Sequence, residues 1–193
     1  MIPIILASGS KNRQTILKSI NVPFQTIVSN FNEKNVREKN LSIRAKKLAR
    51  LKGEAVYKNN RGIIISADTF TGCQGKVLEK PNDRTEAINM LNFLSDKQAI
   101  NYTGFYYYDP DKNIKVSKTF QTKIRFRRFY ESEIKDYINK FPVTSWAGAY
   151  AASELYVMGM IATVSGSLTG LTHGLPLEEL IPLLRLSGFY PKP

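Results

Sequence analysis

Two hydrophobic patterns alternate along the chain. One is the short unbroken apolar run, as in residues 3–8 (PIILAS) and residues 62–70 (GIIISADTF). Such runs of β-branched and apolar residues read as strands covered on both faces. The other is helical spacing. Ile16, Leu17 and Ile20 form one stripe, in a helix that Ser8 or Ser10 can cap. Ala45, Leu48, Ala49, Ala55 and Val56 form a second, in a helix opened by Ser42. Ala87, Met90, Leu91 and Leu94 follow Pro81 as a third, and Ile134, Tyr137 and Ile138 follow Ser132 as a fourth.

Strict alternation marks a further strand. Phe120, Thr122, Ile124 and Phe126 face one side, and Gln121, Lys123, Arg125 and Arg127 the other. The strand of residues 62–70 continues into a turn at Gln74-Gly75-Lys76, from which Val77-Leu78 returns as a hairpin arm. Phe24 to Val28 is extended and precedes a polar loop over residues 29–40. Towards the end come an apolar strand from Met158 to Val164, a loop over residues 165–174, and a helix from Pro176. Glu178 and Glu179 suit the first turn of that helix, and Pro182 should distort it. Helices and strands are mixed, which predicts an α/β fold with a mixed sheet.

Composition narrows the class without identifying it. A chain of 193 residues, 42% hydrophobic, can bury a full core. Its single cysteine, Cys73, excludes an internal disulfide or a cysteine-built zinc site and suits a reducing compartment. The N-terminal apolar run lacks a basic leader and is too short for a signal peptide or membrane span, so a cytoplasmic protein with no membrane partner is expected. The net charge of +12 suits a nucleic-acid binder, a membrane-surface protein or an enzyme for polyanionic small molecules. Lys123, Arg125, Arg127 and Arg128 are the best candidate for a nucleic-acid patch, although no aromatic residue interleaves them on the same face.

The chemistry starts at Asp68. A carboxylate where a buried strand ends is well placed to act on a ligand, because open α/β sheets bind at the carboxyl ends of their strands. It can equally cap a turn or pair with a lysine. Lys52 falls on the second apolar stripe, where it must snorkel outward, lose its charge or meet an anion. In LASGSKNR, small residues between strand and helix let backbone N–H groups approach a phosphate, with Ser8, Ser10 and Arg13 at hand. The spacing is not that of a P-loop. Lys80, beyond the hairpin, can face Asp68 across a cleft, and Glu33 lies in the polar loop. Two carboxylates with three cations can hold a divalent metal, activate water and offset phosphate charge.

His173, the only histidine, reads as a loop residue; Cys73 reads as a structural thiol, and Trp146 as a packing residue.

LASGSKNR, ISADT, LEKP, AGAY and GLPLEELIPLLRLSG, in this order and spacing over essentially the whole length, resemble the Maf-like nucleoside triphosphate pyrophosphatases. The resemblance implies a mixed twisted sheet flanked by helices, in a single two-lobed Maf/ITPase-like domain with a central cleft. It implies hydrolysis of an NTP to NMP and pyrophosphate with Mg²⁺ or Mn²⁺, in a house-cleaning role also linked to septum formation. Asp68 would be the proton acceptor, Asp68 and Glu33 would hold the metal, and Lys52 and Lys80 would complete the catalytic set. Ser8, Ser10 and Arg13 match substrate-binding positions, and Thr69 matches one tied to nucleotide choice. Asn12 stands where the family usually has a first arginine, and Ser153 where it usually has Gln or, in the methyl-GTP branch, Glu. Candidate substrates are thus dTTP, UTP or a modified NTP such as 7-methyl-GTP, and a homodimer is a family-level expectation. The alternative is a basic nucleic-acid-binding or regulatory protein on the same fold.

Overall fold

The computed structural model describes residues 2–192. Seven strands form one mixed sheet in the order β2-β1-β3-β5-β6-β7, with β4 paired to β3. In chain order these are β1 (Ile4–Leu6), β2 (Gln25–Thr26), β3 (Ile63–Cys73), β4 (Lys76–Leu78), β5 (Gln98–Asp109), β6 (Ile114–Phe126) and β7 (Ile161–Ser165). The helices are α1 (Lys11–Ser19), α2 (Leu41–Tyr57), α3 (Arg84–Leu94), α4 (Glu131–Lys140), α5 (Leu155–Met158), α6 (Leu168–His173) and α7 (Leu177–Leu186). β1 is parallel to both β2 and β3, while β3/β4 and β6/β7 are antiparallel. The α/β class and mixed sheet expected from the sequence are thus present.

The chain divides into two compact units, one of Met1–Thr69, Thr103–Phe120 and Thr169–Pro193, the other of Phe70–Tyr102 and Gln121–Leu168. In the first, the alternation of β1 and β3 sends successive side chains to opposite faces. Ile4, Leu6, Ile63, Ile65 and Ala67 pack with Ile16, Leu17 and Ile20 of the α1 region and with Leu180, Leu183 and Leu184 of α7. Ile5, Ala7 and Ile64 pack with Ala49 and Val56 of α2 and with Tyr106. The two helix layers therefore cover opposite faces of the same strands. α2 comes so close to β5 that a Cβ on Gly104 would lie 1.9 Å from the Ala45 carbonyl oxygen. In the second unit, α3 packs against α4 and the WAGAY segment, and Tyr137 stacks on Tyr156 at 5.7 Å.

Several boundaries differ from the sequence reading, each for a local reason. Asn40, not Ser42, caps α2, since its Oδ1 accepts the Ile43 N–H at 3.1 Å. Ala55 is only half-buried there, and Gly53 is the buried position. Ser132 lies inside α4, where Glu133 accepts the Tyr130 N–H at 2.9 Å. Met158 closes the helical turn α5, and β7 begins only at Ile161. Residues 165–174 are not all loop, for Leu168–His173 is helical. The next helix is fastened to this segment by Thr169 Oγ1, which accepts the Leu177 N–H at 2.9 Å. α7 runs through Pro182, held by its buried leucines.

The main correction concerns Asp68. It is the sixth of eleven residues in β3, not the last. The apolar run stops there, so a buried strand reads as emerging at Asp68, although its continuation through Thr69–Gly72 is also expected from the sequence and is present. The strand that ends is the neighbour: β1 is in register with β3 only at Ile63–Ile65, and β4 joins it from Thr71. Asp68 and Thr69 fall between these registers.

Candidate active site

β3 carries Asp68 on the face covered by α2 and Thr69 on the face covered by α1. Ser66, on the Asp68 side, donates its hydroxyl to the Ala49 carbonyl at 2.6 Å and so ties strand to helix. One turn further along α2, Lys52 reaches back over the strand. Its Nζ donates to Asp68 Oδ1 at 2.5 Å and lies 2.7 Å from Glu33 Oε1. Of the outcomes open to an interior-facing lysine, the one realised is an encounter with anions, two of them. Asp68 is 8% exposed, whereas the Glu33 side chain is 55% exposed, at the start of a 3₁₀ turn, Glu33–Asn35. Asp68 Oδ2 accepts no hydrogen bond from a described residue.

On the Thr69 side the geometry is different. Ser10 caps α1, its Oγ accepting the Arg13 N–H at 3.5 Å, and the helix presents Arg13 to the strand. Arg13 Nη1 donates to Ser8 Oγ at 2.8 Å, Nη2 to Thr69 Oγ1 at 3.1 Å, and Nε to the Gly174 carbonyl at 3.0 Å. Every one of these acceptors is neutral. Arg13 makes no ion pair with a described carboxylate. Burial pulls its guanidinium below its ordinary pKa, while the charges of Asp68 and Glu33 act in the opposite direction. Arginine still keeps its proton under such pressure.

A cavity of about 130 Å³ opens here, lined by Ala7, Ser8, Gly9, Arg13, Val28, Ser29, Glu33 and Lys52. It sits where β1 has ended and α1 begins, with one bare cation and one carboxylate-bound cation in its wall. Such a recess suits a small anion chain, whose negative oxygens meet Arg13 and Lys52 together.

The sequence-selected residues fall in both units. Ser8, Arg13, Glu33, Lys52, Asp68 and Thr69 come together in the first unit. Ser10 serves as the cap beneath them, and Asn12 is half-buried on α1. Lys80 and Ser153 belong to the second unit, Lys80 exposed just after β4 and Ser153 half-buried before α5. Sequence reasoning gave Gly174 no role, although it opens the GLPLEELIPLLRLSG segment.

The remaining readings turn out plain. Cys73 is buried, its Sγ 3.5 Å from the Gln98 carbonyl, and burial pushes its thiol pKa up. Trp146 packs at 6.3 Å from Phe141. His173 ends α6 with Nδ1 2.8 Å from Thr172 Oγ1, and burial lowers its pKa. On the basic face of β6, Arg125 pairs with Asp96 at 2.6 Å; Arg127, expected in the same strand, lies just past its end and is bound by Glu133 at 2.5 and 2.9 Å. Two cations of the expected patch are thus occupied within the protein.

No three His, Cys, Asp or Glu side chains form a metal-holding group among the described residues. The donor set that does exist, two carboxylates sharing one ammonium, fits a hard divalent ion that takes most of its ligands from phosphate oxygens and water. No helix among the described residues is long and apolar enough to cross a membrane.

Comparison with known proteins covers nearly the whole chain. The profile of the family described as Maf-like protein matches residues 3–187. A dTTP/UTP pyrophosphatase of Citrifermentans bemidjiense is 33% identical, over 96% of this chain and 95% of its own. The dTTP/UTP pyrophosphatase of Clostridium novyi is 34% identical, over 92% and 93% respectively. That of Thermosipho melanesiensis is 33% identical, over 94% and 96%.

Proposed function

The chain belongs to the Maf-like protein family, and from that premise we propose how its pocket works as the active site of a nucleoside triphosphate pyrophosphatase. It is a hydrolase acting on acid anhydrides: water adds to the α-phosphorus, the bond to the bridging oxygen breaks, and NMP and pyrophosphate leave. The names of its relatives favour dTTP and UTP as the substrates.

The observation that carries the mechanism is the Glu33–Lys52–Asp68 cluster beside the uncompensated Arg13. Lys52 fixes Asp68 through Oδ1, which leaves Oδ2 available to take the proton of the attacking water. Arg13, fixed by three neutral oxygens, offers its remaining N–H groups to the phosphates. Lys52 adds a second positive charge at the same recess and offsets charge that builds on the phosphate oxygens during attack. Glu33 and Asp68 would hold the divalent cation. When bound, that ion neutralises phosphate charge.

The experiment is pyrophosphate release from dTTP, UTP, the other common NTPs and 7-methyl-GTP, with Mg²⁺ or Mn²⁺, alongside Asp68→Asn. Turnover of dTTP or UTP that is lost in the variant is expected. Absence of release from every nucleotide would remove the assignment. A second reading, a nucleic-acid binder, is weakened by the occupied Arg125 and Arg127.

A further inference from the structure

We infer that Gly174 is a positioning residue for Arg13: its carbonyl and its missing side chain hold the guanidinium fork in the orientation that receives phosphate. The inference rests on the pyrophosphatase reading and adds a residue to it.

Arg13 is a partly buried cation with no carboxylate partner among the described residues, so its direction depends on three neutral acceptors. Two are short hydroxyl side chains, Ser8 and Thr69; the third is a backbone atom from a segment 161 residues away. With Nε and one N–H of each terminal nitrogen committed, one N–H on Nη1 and one on Nη2 remain. Planar two-point recognition of phosphate requires such a pair to be aimed correctly.

The turn that supplies the carbonyl is itself held on both sides. The Gly174 N–H donates to the Gly170 carbonyl at 3.1 Å, closing α6. On the other side Thr169 Oγ1 accepts the first N–H of α7 and donates to Glu178 at 3.1 Å. Gly174 has φ +68, in the left-handed region that side chains disfavour. A Cβ there would lie 2.9 Å from Thr69 Oγ1, 3.2 Å from Arg13 Nε and 3.3 Å from Arg13 Nη2. These are the atoms of the fork and of one of its acceptors. A methyl group at residue 174 therefore presses on the Arg13–Thr69 hydrogen bond itself, besides straining its own backbone. Displacements of about 1 Å at such a group can cost on the order of a hundredfold in rate.

A mutant cycle tests this. Wild type, Gly174→Ala, Arg13→Ala and the double variant are compared for calorimetric affinity towards inorganic pyrophosphate and for kcat and KM with dTTP. Gly174→Ala is expected to weaken pyrophosphate binding and raise KM by about tenfold or more, the scale of a charge-assisted hydrogen bond. Arg13→Ala should do the same, and the double variant should lose no more than Arg13→Ala alone. Losses that multiply would mean that Gly174 acts on general structure, and the inference would fall. If Gly174→Ala does not fold, Thr69→Val takes its place in the cycle. It removes an acceptor of the fork without touching the turn, and the same non-additivity is required of it. A wild type that binds pyrophosphate with a non-additive cycle yet hydrolyses no NTP would sink the proposed activity and leave Gly174's role standing. Full turnover with multiplicative losses would sink the inference alone.

Discussion

Asp68 and Thr69 are adjacent in the chain and open onto two different electrostatic settings. On the Asp68 face one ammonium is shared by two carboxylates, a local excess of one negative charge. On the Thr69 face a guanidinium is held only by neutral oxygens, a local excess of one positive charge. The pleat of a single strand separates them. The difference predicts different emphasis for the two cations: Lys52 chiefly organises acidic groups, and Arg13 carries the uncompensated charge.

Removing the proposed general base should have the largest effect. Asp68→Asn is expected to lower kcat by roughly 10²–10⁴, the usual share of general-base catalysis, with pyrophosphate affinity little changed. If Thr69→Val lowered kcat as much, the two faces would not be functionally distinct. Lys52→Met comes next: it strips both carboxylates of their shared cation. It should cut kcat/KM by about a hundredfold and, Asp68 being nearly buried, cost about 1–3 kcal/mol in urea unfolding. The half-exposed Glu33 keeps that cost below the value for a fully enclosed pair.

Arg13→Ala should act mainly on KM, by about ten- to a hundredfold, because the charge it removes is the uncompensated one. Arg13→Lys should not restore it, since an ammonium cannot make the three-way fork. The smallest effect is a control in the second unit, where the Arg127–Glu133 pair has both charges satisfied. The Arg127 hydrogen bonds, with help from the Tyr130 N–H, hold Glu133 near a pKa of about 2 instead of the ordinary 4.5. A carboxyl depressed in the folded state stabilises fully above its unfolded value, and that stability is lost as pH falls from about 4.5 towards 2. Glu133→Gln should flatten the acid limb of the unfolding curve in that window by about 1 kcal/mol, given solvent screening, and leave turnover unchanged.

Three features gathered at the site were legible in sequence because each broke a local rule. Lys52 interrupts an apolar stripe, Asp68 interrupts an apolar strand, and in LASGSKNR a run of small residues, Ala7 to Ser10, leads from strand to helix. Caps were less legible because alternatives sit two residues apart: Asn40 and Ser42 are both good caps, and only the observed bond to Ile43 decides. The position of Asp68 within β3 depended on where a different strand stops, which no local window contains. Gly174 was invisible for a related reason. Its importance lies in what approaches it in space, Arg13 and Thr69, and a glycine in a turn carries no mark of that.

The near-contact of Gly104 with the Ala45 carbonyl has a mechanical consequence for Lys52. Main chain meets main chain there, with no compressible side chain between, so the spacing of α2 from the sheet is a stiff dimension. Thermal motion or repacking that lifted the helix would have to lift its backbone off β5 as a body. Adaptation to a bulkier or slimmer substrate is then closed on this wall of the pocket. It falls to exposed lining such as Val28, whose side chain stands largely in solvent and is not clamped between main chains.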